Sequence, residues 1–281
     1  MAKTALITGA SSGFGLLTTV TLARRGWRVL ATMRDLNRRA LLEDAARAAG
    51  VRERIEVHEL DVTKADQIGA ISELIEKRAT PLHAVLNNAG FAVPGFAEDV
   101  TDAELREQFD TNFFGAVAMT RAILPQMRRQ GFGHIVMVTS ISGRSGFPGV
   151  GSYVASKFAL EGWTETLRFE LKALGIHVVL VEPGSFETDI WTRNAKISAR
   201  MLDPNAPNAQ RVSRWREQIE RNNKKGNPQI VAERIAAILE NPKPKLRYVV
   251  GRDARMALLF RAILPWSAFE KTIVKLSEID K

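Results

Sequence analysis

The sequence predicts an α/β protein built on one doubly wound parallel sheet of about seven strands, with helices on both faces. Three observations predict it. Strand-like runs alternate with helix-like runs along most of the chain, the pattern of parallel strands joined by helical crossovers. The first strand runs straight into a glycine-rich turn and then a helix. The polar residues that could carry chemistry fall just after predicted strands, and open parallel sheets bind ligands at the carboxyl ends of their strands.

The elements follow in order. Lys3-Thr-Ala-Leu-Ile-Thr8 is apolar and β-branched, a strand over 3–8. Thr8-Gly-Ala-Ser-Ser-Gly-Phe-Gly15 is the turn, and Leu16 to Arg25 extends it as a helix over 14–25 that Gly26 caps. Strands are predicted over 27–33, 55–60 and 82–87, with helices over 37–49 and 64–78 between them. Thr101-Asp-Ala-Glu104 is a capping box that starts a long helix over 101–129. After a strand over 134–140, the helix 152–174 carries an apolar stripe of Leu160, Trp163, Leu167, Leu171 and Leu174, and Gly175 ends it. Strands over 176–182 and 246–250 and helices over 208–222 and 229–240 complete the alternation. The segment 189–228 reads as a substrate lid. The tail from Arg255 to Trp266 is apolar with flanking cations and is interrupted by Pro265.

Composition narrows the functions. The chain has 281 residues, 45% of them hydrophobic, enough for one large domain with a sizeable core. There is no cysteine, which excludes disulfides and thiolate catalysis and is compatible with a reducing cytosol. The first strand begins at once, so the expectation is a cytoplasmic protein without a signal peptide. No apolar stretch approaches the ~20 residues that span a bilayer. Histidines 58, 83, 134 and 177 are scattered singly in or beside strands, so no metal site is expected. The net charge of +9 is spread over pairs such as Arg24-Arg25, Arg38-Arg39, Arg128-Arg129 and Lys224-Lys225. Without a stacking motif or nucleic-acid module, these read as solvated helix faces, and no nucleic-acid partner is expected. Part of the charge suits an anionic cofactor.

Two motifs carry chemistry. In the glycine turn, Gly9, Gly13 and Gly15 let the backbone approach a pyrophosphate, and the following helix offers unpaired N–H donors. The spacing is Gly-x-x-x-Gly-x-Gly with no Gly-Lys-Ser/Thr, which argues against a P-loop hydrolase. In Gly151-Ser-Tyr-Val-Ala-Ser-Lys157, Tyr153 and Lys157 share one helix face. A nearby ammonium favours the phenolate, which a free phenol reaches only near ~10. Ser140 could hold a substrate oxygen beside the phenol.

Thr8 to Gly15, Asn87-Asn-Ala-Gly90, Asn112, Ser140, Tyr153, Lys157 and Pro183-Gly184 together resemble the short-chain dehydrogenase/reductase family, in order and in spacing. The resemblance covers roughly the first 190 residues and continues more weakly to about residue 250. Ala31-Thr-Met-Arg-Asp35 and Tyr153-Val-Ala-Ser-Lys-Phe-Ala-Leu-Glu-Gly162 look like the hydroxysteroid and retinol dehydrogenase branch. The resemblance implies a Rossmann-type dinucleotide-binding and catalytic domain over 1–252, followed by a helical extension over 253–281. It implies hydride transfer between a nicotinamide and an alcohol or carbonyl carbon. Tyr153 would exchange the proton, and Lys157 would lower its pKa and hold the nicotinamide ribose. Ser140 would bind the substrate oxygen, and Asn112 would hold a water leading from Lys157 to solvent.

The resemblance also implies a cofactor site. Gly9, Ser11, Ser12, Gly13, Phe14 and Gly15 would cradle the pyrophosphate. Asp61 and Val62 would meet the adenine, Asn88, Ala89 and Gly90 the ribose, and Pro183, Gly184 and Thr188 the nicotinamide end. Family members that use NAD usually place an acidic residue where this chain has Met33, and Arg34 follows it. Arg34 and Ser12 suit a 2′-phosphate, so NADP(H) is expected over NAD(H). Phe91, Val93, Phe96, Phe147, Pro148, Val150, Phe186 and Trp191 suggest a pocket for a small hydrophobic substrate. Phe158, Trp163 and Phe169 on the Tyr153 helix suggest a homodimer or homotetramer. The tail could close over the pocket, pack at a subunit interface or touch a membrane surface, in that order of preference. Two other classes compete: a nicotinamide-binding regulatory protein with little catalysis, and a serine hydrolase. No Gly-x-Ser-x-Gly elbow supports the hydrolase.

Overall fold

Seven parallel strands lie in the order β3-β2-β1-β4-β5-β6-β7 in the computed structural model, which describes residues 2–78, 80–221 and 225–277. The strands are β1 Thr4–Ile7, β2 Arg28–Met33, β3 Ile55–Glu59, β4 Ala84–Asn87, β5 Gly133–Val138, β6 Ile176–Pro183 and β7 Arg247–Val250. The helices are α1 Gly13–Arg24, α2 Ala40–Ala48, α3 Ala65–Glu76, α4 Asp102–Phe109, α5 Gly115–Gln130, α6 Gly151–Leu171, α7 Ala209–Arg221, α8 Gln229–Glu240, α9 Arg252–Ile263 and α10 Trp266–Ser277. Residues 222–224, within the predicted lid and including Lys224, and the tail end 278–281 lie outside the described residues.

Strand pleating sorts the core into two layers. Ala5 and Ile7 point to one face with Leu22 of α1 and Ile235 and Leu239 of α8. Leu6, between them, points to the other face with Met119 and Ile123 of α5 and Leu160 and Leu171 of α6. Strand order reverses between β1 and β4, which both pair in parallel with their neighbours. Chain crossovers leave opposite ways from this point, so a crevice opens above the carboxyl ends of β1 and β4.

The predicted helix 101–129 is interrupted. The capping box forms as expected: the Thr101 hydroxyl accepts from the Glu104 N–H at 3.3 Å, and the Glu104 carboxylate accepts from the Thr101 N–H at 2.9 Å. A wider π turn over Asp110–Phe114 then separates α4 from α5. It turns Asn112 inward, where the amide is buried. The tail forms α9 and α10 and packs beside β7, with Gln218 of α7 donating to the Leu276 carbonyl at 2.9 Å. No described tail residue lines the crevice, so the expectation that the tail closes over the pocket is not what the geometry shows. No helix among the described residues is long and apolar enough to cross a membrane.

Candidate active site

The glycine turn joins β1 to α1 at the floor of the crevice. Gly9 and Gly13 have φ of 70° and 53°, the left-handed region that favours glycine. Gly15 is glycine for a different reason: a Cβ there would sit 2.2 Å from the Gly9 carbonyl oxygen. Asn88, at the end of β4, donates its side-chain amide to the Thr8 and Gly9 carbonyls at 2.9 and 3.0 Å. The Thr8 hydroxyl returns the tie by accepting from the Asn88 and Ala89 N–H groups, both at 3.0 Å. The turn is thus held in shape by its neighbour strand before any ligand arrives. Ser12 stands at the N-cap of α1 without capping it, and the first turn carries no acidic residue. The helix therefore presents open N–H donors and a positive dipole end to the crevice.

A cleft of about 460 Å³ runs from this turn to the Tyr153 helix. Gly9, Ser11, Ser12, Gly13, Phe14, Arg34, Asp61, Val62, Asn88, Ala89, Gly90, Ser140, Tyr153, Lys157, Pro183, Gly184 and Thr188 all line it. Two expected site residues do not. Gly15 lies behind the turn it shapes. Asn112 lies behind Gly90, donating to the Phe91 carbonyl at 3.0 Å and the Ser156 hydroxyl at 3.3 Å while accepting from the Phe91 N–H at 3.1 Å. Its amide is occupied in holding the loop after β4.

At the far end of the cleft, Tyr153 is buried, and Ser140 lines the same end. The Ser140 oxygen accepts from the Ser142 N–H at 3.1 Å, which fixes the turn after β5. Burial pushes the Tyr153 phenol up to about 12, and the Ser140 hydroxyl offsets this only in part. Lys157, one turn along α6, donates to the Val138 carbonyl at 2.9 Å and lies 5.7 Å from the Tyr153 ring centre. Burial pulls its ammonium down to about 8, opposed by the nearby Glu161 carboxylate. Burial therefore outweighs any lowering of the phenol pKa by Lys157.

At the other end, Arg34 is exposed and Met33, in the position of the NAD-type acid, is buried. Asp35 does not replace that acid: its carboxylate accepts from the Asn37 N–H at 2.9 Å and caps the following turn. Sequence reasoning missed Arg38 here. The pair Arg38-Arg39 read as a solvated helix face, but Arg38 lines the cleft and donates to the Asn194 side chain at 3.0 Å. Asn194 in turn donates to the Ser12 hydroxyl at 3.2 Å, so the 189–196 stretch closes onto the glycine turn. Only contact across 156 residues marks Arg38 out, and no local pattern carries that signal.

The expected substrate pocket is partly reassigned. Phe91, Phe186 and Trp191 line the cleft, with Trp191 edge-on to Tyr153 at 5.2 Å and Phe186 edge-on to Phe14 at 5.8 Å. Val93 and Val150 are core residues, because the backbone of Val93 bonds Gln108 and Ser152. Phe96 lies under the Arg211 guanidinium of α7. Ile190, which the sequence reading passed over, joins the lining.

A glycine turn at the switch point and a buried Ser-Tyr-Lys set across the same cleft define a dinucleotide-dependent oxidoreductase class. The model of the short-chain dehydrogenase family matches residues 3–198, and the chain belongs to that family of oxidoreductases. An uncharacterized oxidoreductase of Bacillus subtilis, YusZ, is 40% identical over 97% of this chain and 98% of its own. Human retinol dehydrogenase 8 is 35% identical over 87% of this chain and 80% of its own. Among solved structures, a short-chain dehydrogenase from Streptomyces avermitilis superposes with a TM-score of 0.82, at 32% identity over 99% of this chain and 98% of its own. One from Burkholderia phymatum, solved with NAD, gives 0.78 at 26% identity over 96% and 95%.

Proposed function

We propose that the protein is an NADP(H)-dependent alcohol/carbonyl oxidoreductase acting on small hydrophobic substrates. One observation carries the reading: Ser140, Tyr153 and Lys157 converge at one end of a cleft whose other end is an open helix N-terminus with Arg34 and Arg38 beside it. The residues fit the cofactor. The uncapped start of α1 lines the cleft, and its open N–H groups suit a pyrophosphate. Pro183, Gly184 and Thr188 would meet the nicotinamide end, and Asp61 and Val62 the adenine. A bound nicotinamide would supply or accept the hydride.

The chain's own residues handle the proton and the substrate. Tyr153 holds its proton at neutral pH and donates it to a carbonyl oxygen in reduction, or recovers it from an alcohol in oxidation. Lys157 stabilises the phenolate that forms. Ser140 fixes the substrate oxygen beside the phenol. Asn112 holds the Phe91 loop over this end of the cleft. Phe91, Phe186, Ile190 and Trp191 exclude water and select an apolar alcohol or ketone. The relative named a retinol dehydrogenase supports the apolar substrate class. The NAD-bound neighbour is the counterexample to cofactor choice, and Arg34 with a buried Met33 supports NADP(H) here. We assign 1–252 as the catalytic domain, 189–228 as its lid and 253–281 as an extension, in a cytoplasmic homo-oligomer. Nicotinamide absorbance followed against a panel of hydrophobic ketones and alcohols, with NADPH and NADH in parallel, tests the whole reading. Turnover with NADPH favoured is expected. Absence of turnover with every substrate overturns the assignment.

A further inference from the structure

Behind the catalytic residues lies a buried charge cluster that the mechanism above does not use. Glu161 stands one turn past Lys157 on α6 and is buried. One of its carboxylate oxygens accepts from the Thr139 hydroxyl at 2.6 Å, and Thr139 is the residue before Ser140. The other accepts from Arg247 Nε of β7 at 3.2 Å. Arg247 also donates to Glu165, half-exposed on α6, at 2.9 Å. Glu182, fully buried at the end of β6, pairs with Arg144 at 3.2 Å. Its second oxygen lies 3.2 Å from Arg247 Nε yet receives no hydrogen bond among the described residues. Two residues after Glu182 comes Gly184, at the expected nicotinamide end.

The turn carrying Ser140 rests directly on this cluster. A Cβ on Gly143 would meet the Glu161 stem at 2.7 Å and the Lys157 carbonyl at 3.1 Å. Glu161 therefore touches or bonds the elements that carry Ser140 and Lys157, and it shares Arg247 with the strand that leads to Gly184.

We infer that Glu161 is a positioning residue for the Ser140–Tyr153–Lys157 set, holding the Ser140 turn on α6 and setting the charge of Lys157 one turn away. The inference rests on the oxidoreductase reading for its kinetic consequence, but its electrostatic core does not. Glu161 faces Lys157 and Glu165 on its own helix, Thr139 and Arg144 around β5, Glu182 on β6 and Arg247 on β7. Burial first, and then repulsion from Glu182, raise its pKa to about 7, against the lowering by Thr139 and Arg247. At neutral pH it is therefore partly protonated, and its charge responds to small changes in either partner. The sign on Lys157 follows. A charged Glu161 favours the ammonium, so removing that charge lets Lys157 lose its proton at lower pH. Removing the repulsion from Glu182 lets Glu161 charge at lower pH.

The test compares pH profiles of kcat/KM, using NADPH and the ketone of the panel that turns over fastest. Glu161→Gln should move the alkaline limb to lower pH by at least about half a unit. Glu165→Gln, which removes the exposed partner of Arg247, should leave the limb in place. A Glu161 that only supports the fold would lower rates at every pH without moving the limb, and that result overturns the inference. A second measurement needs neither turnover nor the Glu161 variant to fold. In protein labelled with ¹³C at the glutamate carboxyl carbons, one resonance should titrate near 7 and shift to lower pH in Glu182→Gln. If no glutamate titrates above the ordinary range, the inference fails even where turnover is found. If the panel shows no turnover but this resonance behaves as expected, the oxidoreductase reading fails and the charge coupling stands.

Discussion

Arg34 and Asp35 are neighbours in the chain with separate tasks. Asp35 spends its carboxylate on the Asn37 N–H, which leaves the cleft rim to Arg34. Arg34→Ala should therefore erode the preference for NADPH over NADH about ten- to a hundredfold, the range of one charge-assisted hydrogen bond to a phosphate. The ratio of kcat/KM for the two cofactors reads this directly, and an unchanged ratio would remove Arg34 from cofactor choice. Residues of this kind were legible in the sequence when their spacing was local. Tyr153 and Lys157 are one helical turn apart, and the glycines of 9–15 fall between a strand and a helix. Arg38, Asn194 and Glu161 were not legible as parts of the site, because their partners lie far away in sequence. Asn112 was legible as a position, and the structure gives its amide to the Phe91 backbone.

The elements themselves were legible almost throughout, since each of the seven strands and the helices before the tail has its own local signal. The exception is 101–129, which reads as one helix because its helix-forming residues are continuous. The π turn at Asp110–Phe114 exists because a buried amide must reach the Phe91 backbone across the fold, a tertiary demand that overrides local preference. The start of α4 is local, and its capping box gives a clean prediction. Thr101→Ala should cost about 1 kcal/mol of stability, read as a lower denaturant midpoint at unchanged slope. At α1, Gly15→Ala would push a methyl against the Gly9 carbonyl and the Asn88 amide. It should weaken NADPH binding, with a stability loss of about 1–3 kcal/mol for the forced rearrangement. Unchanged affinity by fluorescence titration would show that the turn is not a phosphate cradle.

At the scale of the molecule, an apolar surface around α6 stands exposed. Phe114 beside α5 and Phe158 and Phe169 on α6 are exposed, Phe169 by 71%, while Trp163 is partly buried against the core, in line with its place in the apolar stripe. A face of this kind suits a self-complementary two-fold contact. Light scattering at micromolar concentration should give a dimer or tetramer mass, and a monomer mass would defeat that expectation. Among the described residues, the tail meets the loop after β6 at Asp253. The Asp253 carboxylate accepts from the Ser185 N–H at 2.6 Å and lies against Gly184, so α9 anchors the loop after β6. Truncation after Gly251 should therefore impair large and small ketones alike and weaken cofactor binding, where a lid would have singled out the large ones. The fold's outline was readable from alternation alone. The placement of the tail was not, because an apolar helix carries no mark of which neighbour it will meet.

In the proposed function, Tyr153 exchanges the proton during hydride transfer. Tyr153→Phe removes one hydroxyl and keeps the ring against Trp191. The most direct measurement is its NADPH-dependent turnover beside its NADPH dissociation constant. A loss of kcat of at least about a hundredfold is expected, the lower end of general acid–base contributions, with the dissociation constant little changed. Near-normal turnover by the phenylalanine variant would contradict it.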